Sequence, residues 1–278
     1  RNSSFSIAFS NFFRLKKNKC LWGSLAFMFI VGLAFPLLRY KDMKQSGYIN
    51  NLDNGFFARA LFIGIILAVF CSLFIGTEHN DRTIRNKIIV GQKRETIYLS
   101  NMITCSVIAI TMCIVFFVPY LSVGIPLLAF FTADVKLIML IGVTVLVLSI
   151  TFASLFTLIT MLFQNKAIIA VSCILLSFGL LLAGAICNRM LDAPPTIPAY
   201  SIGENGETTA QETENPKYSD GTKREIVQFF YDVNPGGQAI QCSTMQPVNL
   251  TRLPIYSLAI IVLTTGAGVW IFKKKDLK

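Results

Sequence analysis

The sequence predicts an all-α polytopic membrane protein: six transmembrane helices, an N-terminal interfacial helix, a short cytoplasmic helix and short outer helices before the last span. Three observations predict it. Of 278 residues, 54% are hydrophobic and only 14% are charged, against about 25% charged in soluble domains. The apolar residues gather into six runs near the length of about 20 residues that crosses a hydrocarbon core. The alternating segments of about 10 residues that mark a membrane β-barrel do not occur. The same figures exclude a disordered chain and weigh against a soluble enzyme.

Each element follows in order. Phe5, Phe9, Phe12 and Phe13 fall on one helical face, with Asn11, Arg14 and Lys17 elsewhere on the wheel. Residues 1–19 therefore read as an amphipathic helix in the inner headgroup region; the competing reading is a helix packed on the bundle. Residues 20–278 make the six-span domain. Its spans are expected at 20–38, 58–76, 98–120 (ending near Pro119), 137–163, 167–187 and 255–272, the last entered through Pro254. No cleavable signal peptide is expected, because the first apolar run lies too far in and lacks a small-residue cleavage site.

Charge sets the expected orientation. Arg1, Arg14, Lys16, Lys17 and Lys19 precede the first span, Arg82, Arg85, Lys87, Lys93 and Arg94 lie in the loop 77–97, Lys166 sits in the turn after the fourth span, and Lys273, Lys274, Lys275 and Lys278 follow the last span. The positive-inside rule then puts both termini in the cytoplasm of a multi-pass protein. The net charge of +10 belongs to these flanks, so no nucleic-acid partner is expected. Arg39, Lys41, Lys44 and Arg59 fall near the first outer loop, with Arg59 expected to snorkel to the interface.

The longest segment between spans, 188–253, is expected to be extracellular and acidic, with a flexible polar middle at 198–222. Ile226, Val227, Phe229 and Phe230 suit one face of a short helix, and Asn234-Pro235-Gly236-Gly237 breaks the chain. Two short outer helices flanking a turn follow. The seven cysteines show no C-x-x-C spacing and read as small buried hydrophobes. Cys187 and Cys242 bracket the outer loop, and an extracellular setting would permit a disulfide between them.

The stretch 77–101 carries the most information. Asp81 is placed as a helix N-cap and Gly91 as a C-terminal cap. Ile84, Ile88 and Ile89 make a short apolar face, with Arg82, Arg85 and Lys87 around it. Glu95 suits the positive end of the next helix. Such a helix can dock in a partner's groove or lie against anionic lipid; the residues alone leave both open.

Glu78, Arg82 to Lys87, Gly91, Arg94 and Ile97-Tyr98-Leu99 resemble the cytoplasmic loop of type-2 ABC permeases. The segment Tyr231 to Gln238, with Asn234, Pro235, Gly236, Gly237 and Gln238 at its turn, is similar to the outer turn of the same family. Within it the chain looks like bacterial exporters of amphipathic peptides, such as phenol-soluble modulin exporters and lantibiotic-immunity permeases. The resemblance implies a half-transporter in a bacterial cytoplasmic membrane. Two permease chains, expected as a homodimer, would each dock a separate cytoplasmic ATPase that holds ATP and Mg. Glu78, Arg82, Ile84, Arg85, Lys87, Ile88, Gly91 and Arg94 would form the ATPase-coupling region. The second and fifth spans would line the route, with Phe62, Phe70 and Phe74 on one and Ser172, Ser177 and Phe178 on the other; any single Phe is more often plain packing or lipid contact than a substrate contact.

The chain has no G-x-x-x-x-G-K-[ST] loop, so it is not expected to hydrolyse ATP by itself. No cofactor or metal is expected in it: there is one histidine, His79, and no H-E-x-x-H or G-x-S-x-G motif. Almost no ionisable residue falls inside the spans, which disfavours an ion-coupled carrier. The apolar route suits an amphipathic peptide or lipophilic substrate. The alternative is a non-enzymatic membrane receptor or anchor whose acidic outer loop takes a ligand; an intramembrane enzyme is the weakest reading.

Overall fold

The structure, a computed structural model, describes residues 13–202, 208–216, 218 and 220–274. Six long apolar helices form the bundle: α1 (Lys19–Ser46), α2 (Arg59–Asn80), α4 (Arg94–Leu127), α5 (Val135–Leu162), α6 (Lys166–Leu191) and α9 (Leu253–Lys274). The short α3 (Thr83–Ile89) joins α2 to α4. Between α6 and α9 come strands β1 (Thr196–Ile202) and β2 (Thr208–Glu214), then α7 (Gly221–Val233) and α8 (Pro235–Thr244). The all-α polytopic fold is thus as the sequence predicts, with one two-stranded sheet added.

Polar caps set several helix starts. Asn18 accepts from the Cys20 N–H, Asn165 from those of Ala167 and Ile168, and Asp220 from that of Gly221. Each satisfies donors that a helix start leaves bare. Two ends run past their expected limits. Helix α1 continues beyond 38 to Ser46, where Gly47 ends it at φ 74° and donates to the Met43 carbonyl. Helix α4 passes through Pro119 and Pro126 to Leu127. Proline inside a spanning helix is tolerated where side chains and local adjustment satisfy the freed groups. At about 1.5 Å per residue α4 is about 51 Å long, more than a hydrocarbon core, so its ends project.

Helix α2 is the core element. Of its most apolar window 61% is buried, against 22% for α1 and α6 and 17% for α9. Phe70 and Phe74 stack at 5.5 Å, and Phe152 and Phe156 of α5 stack at 5.9 Å. Hydroxyls on α5 are satisfied within the bundle. Thr144, Ser149 and Thr157 donate to their own helix, and Thr151 also reaches the Ser257 carbonyl on α9. Strands β1 and β2 pair antiparallel from Thr196↔Glu214 to Ile202↔Thr208, where a flexible loop was expected. Their polar composition hides the pattern, and Pro198 suits a strand with one open edge.

Phe5, Phe9 and Phe12 of the expected interfacial helix lie outside the described residues. Residues 13–16 are helical, with Phe13 59% exposed and Leu15 buried.

Candidate functional site

Arg14, α3 and the last turn of α9 lie at one end of the bundle. Arg14 pairs with Glu78, and Arg94 Nη1 lies 3.5 Å from the Phe272 carbonyl and 3.4 Å from that of Lys273. A cation there complements the free carbonyls of a helix C-terminus.

Helix α3 is set by two left-handed residues. Asp81 does not cap it, contrary to the sequence expectation. Its N–H donates to the Thr77 carbonyl, so it closes α2, and Arg82 at φ 55° makes the reversal. Gly91 ends α3 as expected, at φ 88°. The Gly91 N–H reaches the Ile88 carbonyl at 2.9 Å and the Gln92 N–H that of Lys87 at 3.1 Å, the two bonds of a Schellman cap. A seven-residue helix is too short to hold itself in water, so its tertiary ties decide whether it stays rigid.

Glu78 supplies them. It is fully buried, and its carboxylate takes Arg14 from the N-terminal stretch, Lys87 Nζ from α3 at 2.8 Å and Asn101 Nδ2 from α4 at 3.0 Å. One carboxylate on α2 thus joins three other segments. Burying it is tolerable only because two cations and an amide satisfy it. The sequence pointed to Glu78 and Lys87 but not to Arg14 or Asn101. The available signal for Asn101 was an amide inside an apolar run.

The eight loop residues fall into two groups. Glu78, Ile84 and Lys87 face their own chain: Ile84 is buried, and Ile88 packs partly buried against the same core. Arg82 and Gly91 are exposed, Arg85 is half-buried, and Arg94 holds the end of α9. The bare apolar surface is Ile89, 81% exposed, and Val90, 77% exposed. The apolar face expected from Ile84, Ile88 and Ile89 is therefore split, with Ile84 spent inward and Ile89 left outward.

At the opposite end, Asn234, Pro235, Gly236, Gly237 and Gln238 form a tight joint. Asn234 accepts from the Gly236 N–H at 3.0 Å and donates to the Leu180 carbonyl of α6 at 2.8 Å. Pro235 opens α8 at a position that needs no N–H. A β-carbon on Gly236 would collide with the Leu180 carbonyl, and one on Gly237 with that of Tyr231. Gln238 donates to the Asp232 carbonyl and accepts from Ser257 of α9. Asp232, 2% exposed, accepts from Gln228, Gln241 and Asn249. Burial raises the Tyr231 phenol above its ordinary pKa, so it stays protonated and donates to Asn188 Oδ1 at 2.7 Å.

Of the expected route residues, Phe70, Phe74 and Ser177 are buried, Phe62 and Ser172 are half-buried, and Phe178 is 53% exposed. Phe62 meets Phe35 edge-on at 6.3 Å. Arg59 does not snorkel: it is fully buried. Cys187 and Cys242 are free thiols, and burial pushes that of Cys242 up to about 12. No cluster suited to a metal ion occurs among the described residues.

A family model described as "ABC-2 family transporter protein" matches residues 10–183, which include α1, α2, α3, α4 and α5 and most of α6. The chain belongs to this family, and so is a membrane permease component of an ABC transporter. No curated protein matches it.

Proposed function

We propose, with ABC-2 membership as the premise, that this chain is the membrane half of an ATP-driven exporter moving amphipathic or hydrophobic cargo, such as antimicrobial or cytolytic peptides, out of a bacterial cell. A separate cytoplasmic ATPase binds ATP and Mg; a second copy of the permease completes the path. Both termini face the cytoplasm, and α3 is the coupling helix. The observation that carries this reading is the division of α3. Its inner side is pinned by Ile84 and the Glu78 cluster, while Ile89 and Val90 stand bare at a capped, rigid end. Exposed apolar residues on a rigid projection fit a groove on a partner.

The Glu78 cluster gives the push somewhere to go. Closure of the ATPase pair displaces α3, and the shared carboxylate passes that displacement to α2, α4 and the N-terminal stretch as rigid bodies. Two further features support the cargo and the dimer. An apolar cleft of about 410 Å³, lined by Cys20, Gly23, Phe27, Ile65, Ile66 and Val69, opens beside α1 and α2. On α6, Ile168, Val171, Leu175, Phe178 and Leu182 are exposed at alternating spacings of three and four, the spacing of a helix–helix seam.

Ile89→Glu with Val90→Glu tests the reading. The substituted permease should fold normally, since surface changes cost about 0.5 kcal/mol or less, yet lose the ATPase on co-purification and lose cargo-stimulated ATP turnover. A doubly substituted chain that retains the ATPase in stoichiometric amount, with normal stimulation, would refute it.

A further inference from the structure

Arg59 is the first residue of α2, at the end of the bundle away from α3. It is fully buried. Its guanidinium lies 3.5 Å from the centre of the Phe117 ring, with the Phe57 and Phe116 rings 5.5 and 5.9 Å away. Its one hydrogen bond is a long contact, 3.5 Å, from Nη1 to the Phe56 carbonyl. Nε and Nη2 have no partner. The Cys113 thiol is close enough to interact with it, but a thiol is only a weak acceptor, and no carboxylate pairs with it among the described residues.

A guanidinium has five N–H donors in a fixed fork, and it stays charged even when buried. The aromatic faces offset part of its desolvation, but they do not satisfy Nε and Nη2. Those two nitrogens form the edge of the fork that grips one carboxylate or phosphate through two parallel hydrogen bonds. Position adds to this. Arg59 sits at the N-terminal end of α2, where a cation opposes the helix dipole and an anion is favoured. The residue is costly here, and an ion inside the spanning region is a functional group by default.

We propose that Arg59 is an anion receptor concealed under the outer cap, which takes the single carboxylate or phosphate head of an amphiphile when α8 moves aside. Helix α8 packs against α2, and the turn at 55–58 supplies the Phe56 and Phe57 contacts; these are the covering elements. The Phe56, Phe57, Phe116 and Phe117 rings, which pack on one another, give the tail of such a molecule an apolar surface beside its head group. The inference rests on the exporter reading only for what delivers the amphiphile, so its test needs no ATPase.

The chain is purified in dodecyl maltoside, which carries neither carboxylate nor phosphate, and titrated with a fluorescent twelve-carbon fatty acid, its methyl ester and the matching alkyl phosphate. Wild type should bind one or both anions at least about tenfold more tightly than the ester, the worth of one charge-assisted hydrogen bond. Preference for the carboxylate identifies a cargo-like head, and preference for the phosphate a lipid-like one. Arg59→Met should abolish the preference and raise the unfolding temperature, because it removes an unpaired buried cation. Arg59→Lys should keep a weaker preference, as a charge without the fork. Equal binding of acid and ester by wild type would overturn the inference. So would a lowered unfolding temperature in Arg59→Met, which would make the guanidinium a structural tie.

Discussion

Replacing Glu78 with Gln removes one negative charge from the junction of four segments and little else. The glutamine carbonyl can still accept from Asn101 Nδ2, so the change isolates the two ion pairs. Breaking a fully buried pair costs about 3–5 kcal/mol. Here the side chains of Lys87 and Arg14 keep 14% and 35% exposure, and a partly wet cation recovers some hydration, so the loss should be about 2–3 kcal/mol. At about 2–4 °C per kcal/mol for a chain of this order, the unfolding temperature should fall by about 4–12 °C. A thiol-reactive dye reads it directly, because Cys71, Cys105, Cys113, Cys173 and Cys242 are buried and free. In the assembled transporter the same variant should keep its ATPase, since Ile89 and Val90 are untouched, but lose most cargo-stimulated turnover. A fall below about 2 °C together with full stimulation would refute both the energetic weight of the cluster and its role as a force junction.

The remaining predictions concern the outer end. Gly236→Ala sets a β-carbon against the Leu180 carbonyl, and backbone cannot rotate away as a side chain can. It should cost about 3 kcal/mol, seen as a lower unfolding temperature and reduced monodisperse yield; unchanged stability would show that α8 and α6 are not locked. Cys242, with its thiol pushed up to about 12 by burial, should resist iodoacetamide at pH 8 in the folded protein and react once unfolded. The sign follows from the raised pKa: the stabilisation from keeping this proton is whole below the ordinary thiol value near 9 and is lost as pH rises toward 12. Fast alkylation at pH 8, or a mass two hydrogens short at Cys187 and Cys242, would contradict the burial.

How far the sequence reveals the molecule depends on whether a feature is set by solvent or by neighbours. The six spans are legible because the bilayer fixes their length. Their ends are not, since Lys41 and Lys44 continue α1 outside the hydrocarbon and Pro126 does not stop α4. Gly91 is legible because a left-handed C-cap selects glycine. Arg82 in the same conformation is not, because a bulky residue is held there by the tertiary pull on α3. Glu78 stands out as an acid in a basic loop, yet its inward direction depends on Arg14, 64 residues away. The β1–β2 hairpin lacks apolar alternation; Asn205-Gly206 between its strands is a hairpin signal, but the polar composition on either side hides it, and Arg59 on the surface or in the core gives the same letter.

The two charges on α2 make one argument. Arg59 opens the helix and Glu78 lies near its close, both fully buried, and α2 is the most enclosed of the spans. Each opposes the dipole at its own end, a cation at the start and an anion in the last turn, so neither is there to stabilise the helix. The bundle treats them differently. Around Glu78 it gathers two cations and an amide, which makes the inner end stiff and specific. Around Arg59 it gathers rings and leaves two donors bare, which leaves the outer end with unmet hydrogen-bonding capacity. A helix fixed at one end and unsatisfied at the other has a preferred place to yield. On the proposed reading, a push arriving through α3 would meet no slack at Glu78, and the displacement would appear where binding an anion is most favourable. On that argument Glu78→Gln and Arg59→Met should be nearly additive in stability, being at opposite ends of the helix without shared partners. In transport they should not be additive, because each interrupts the same movement.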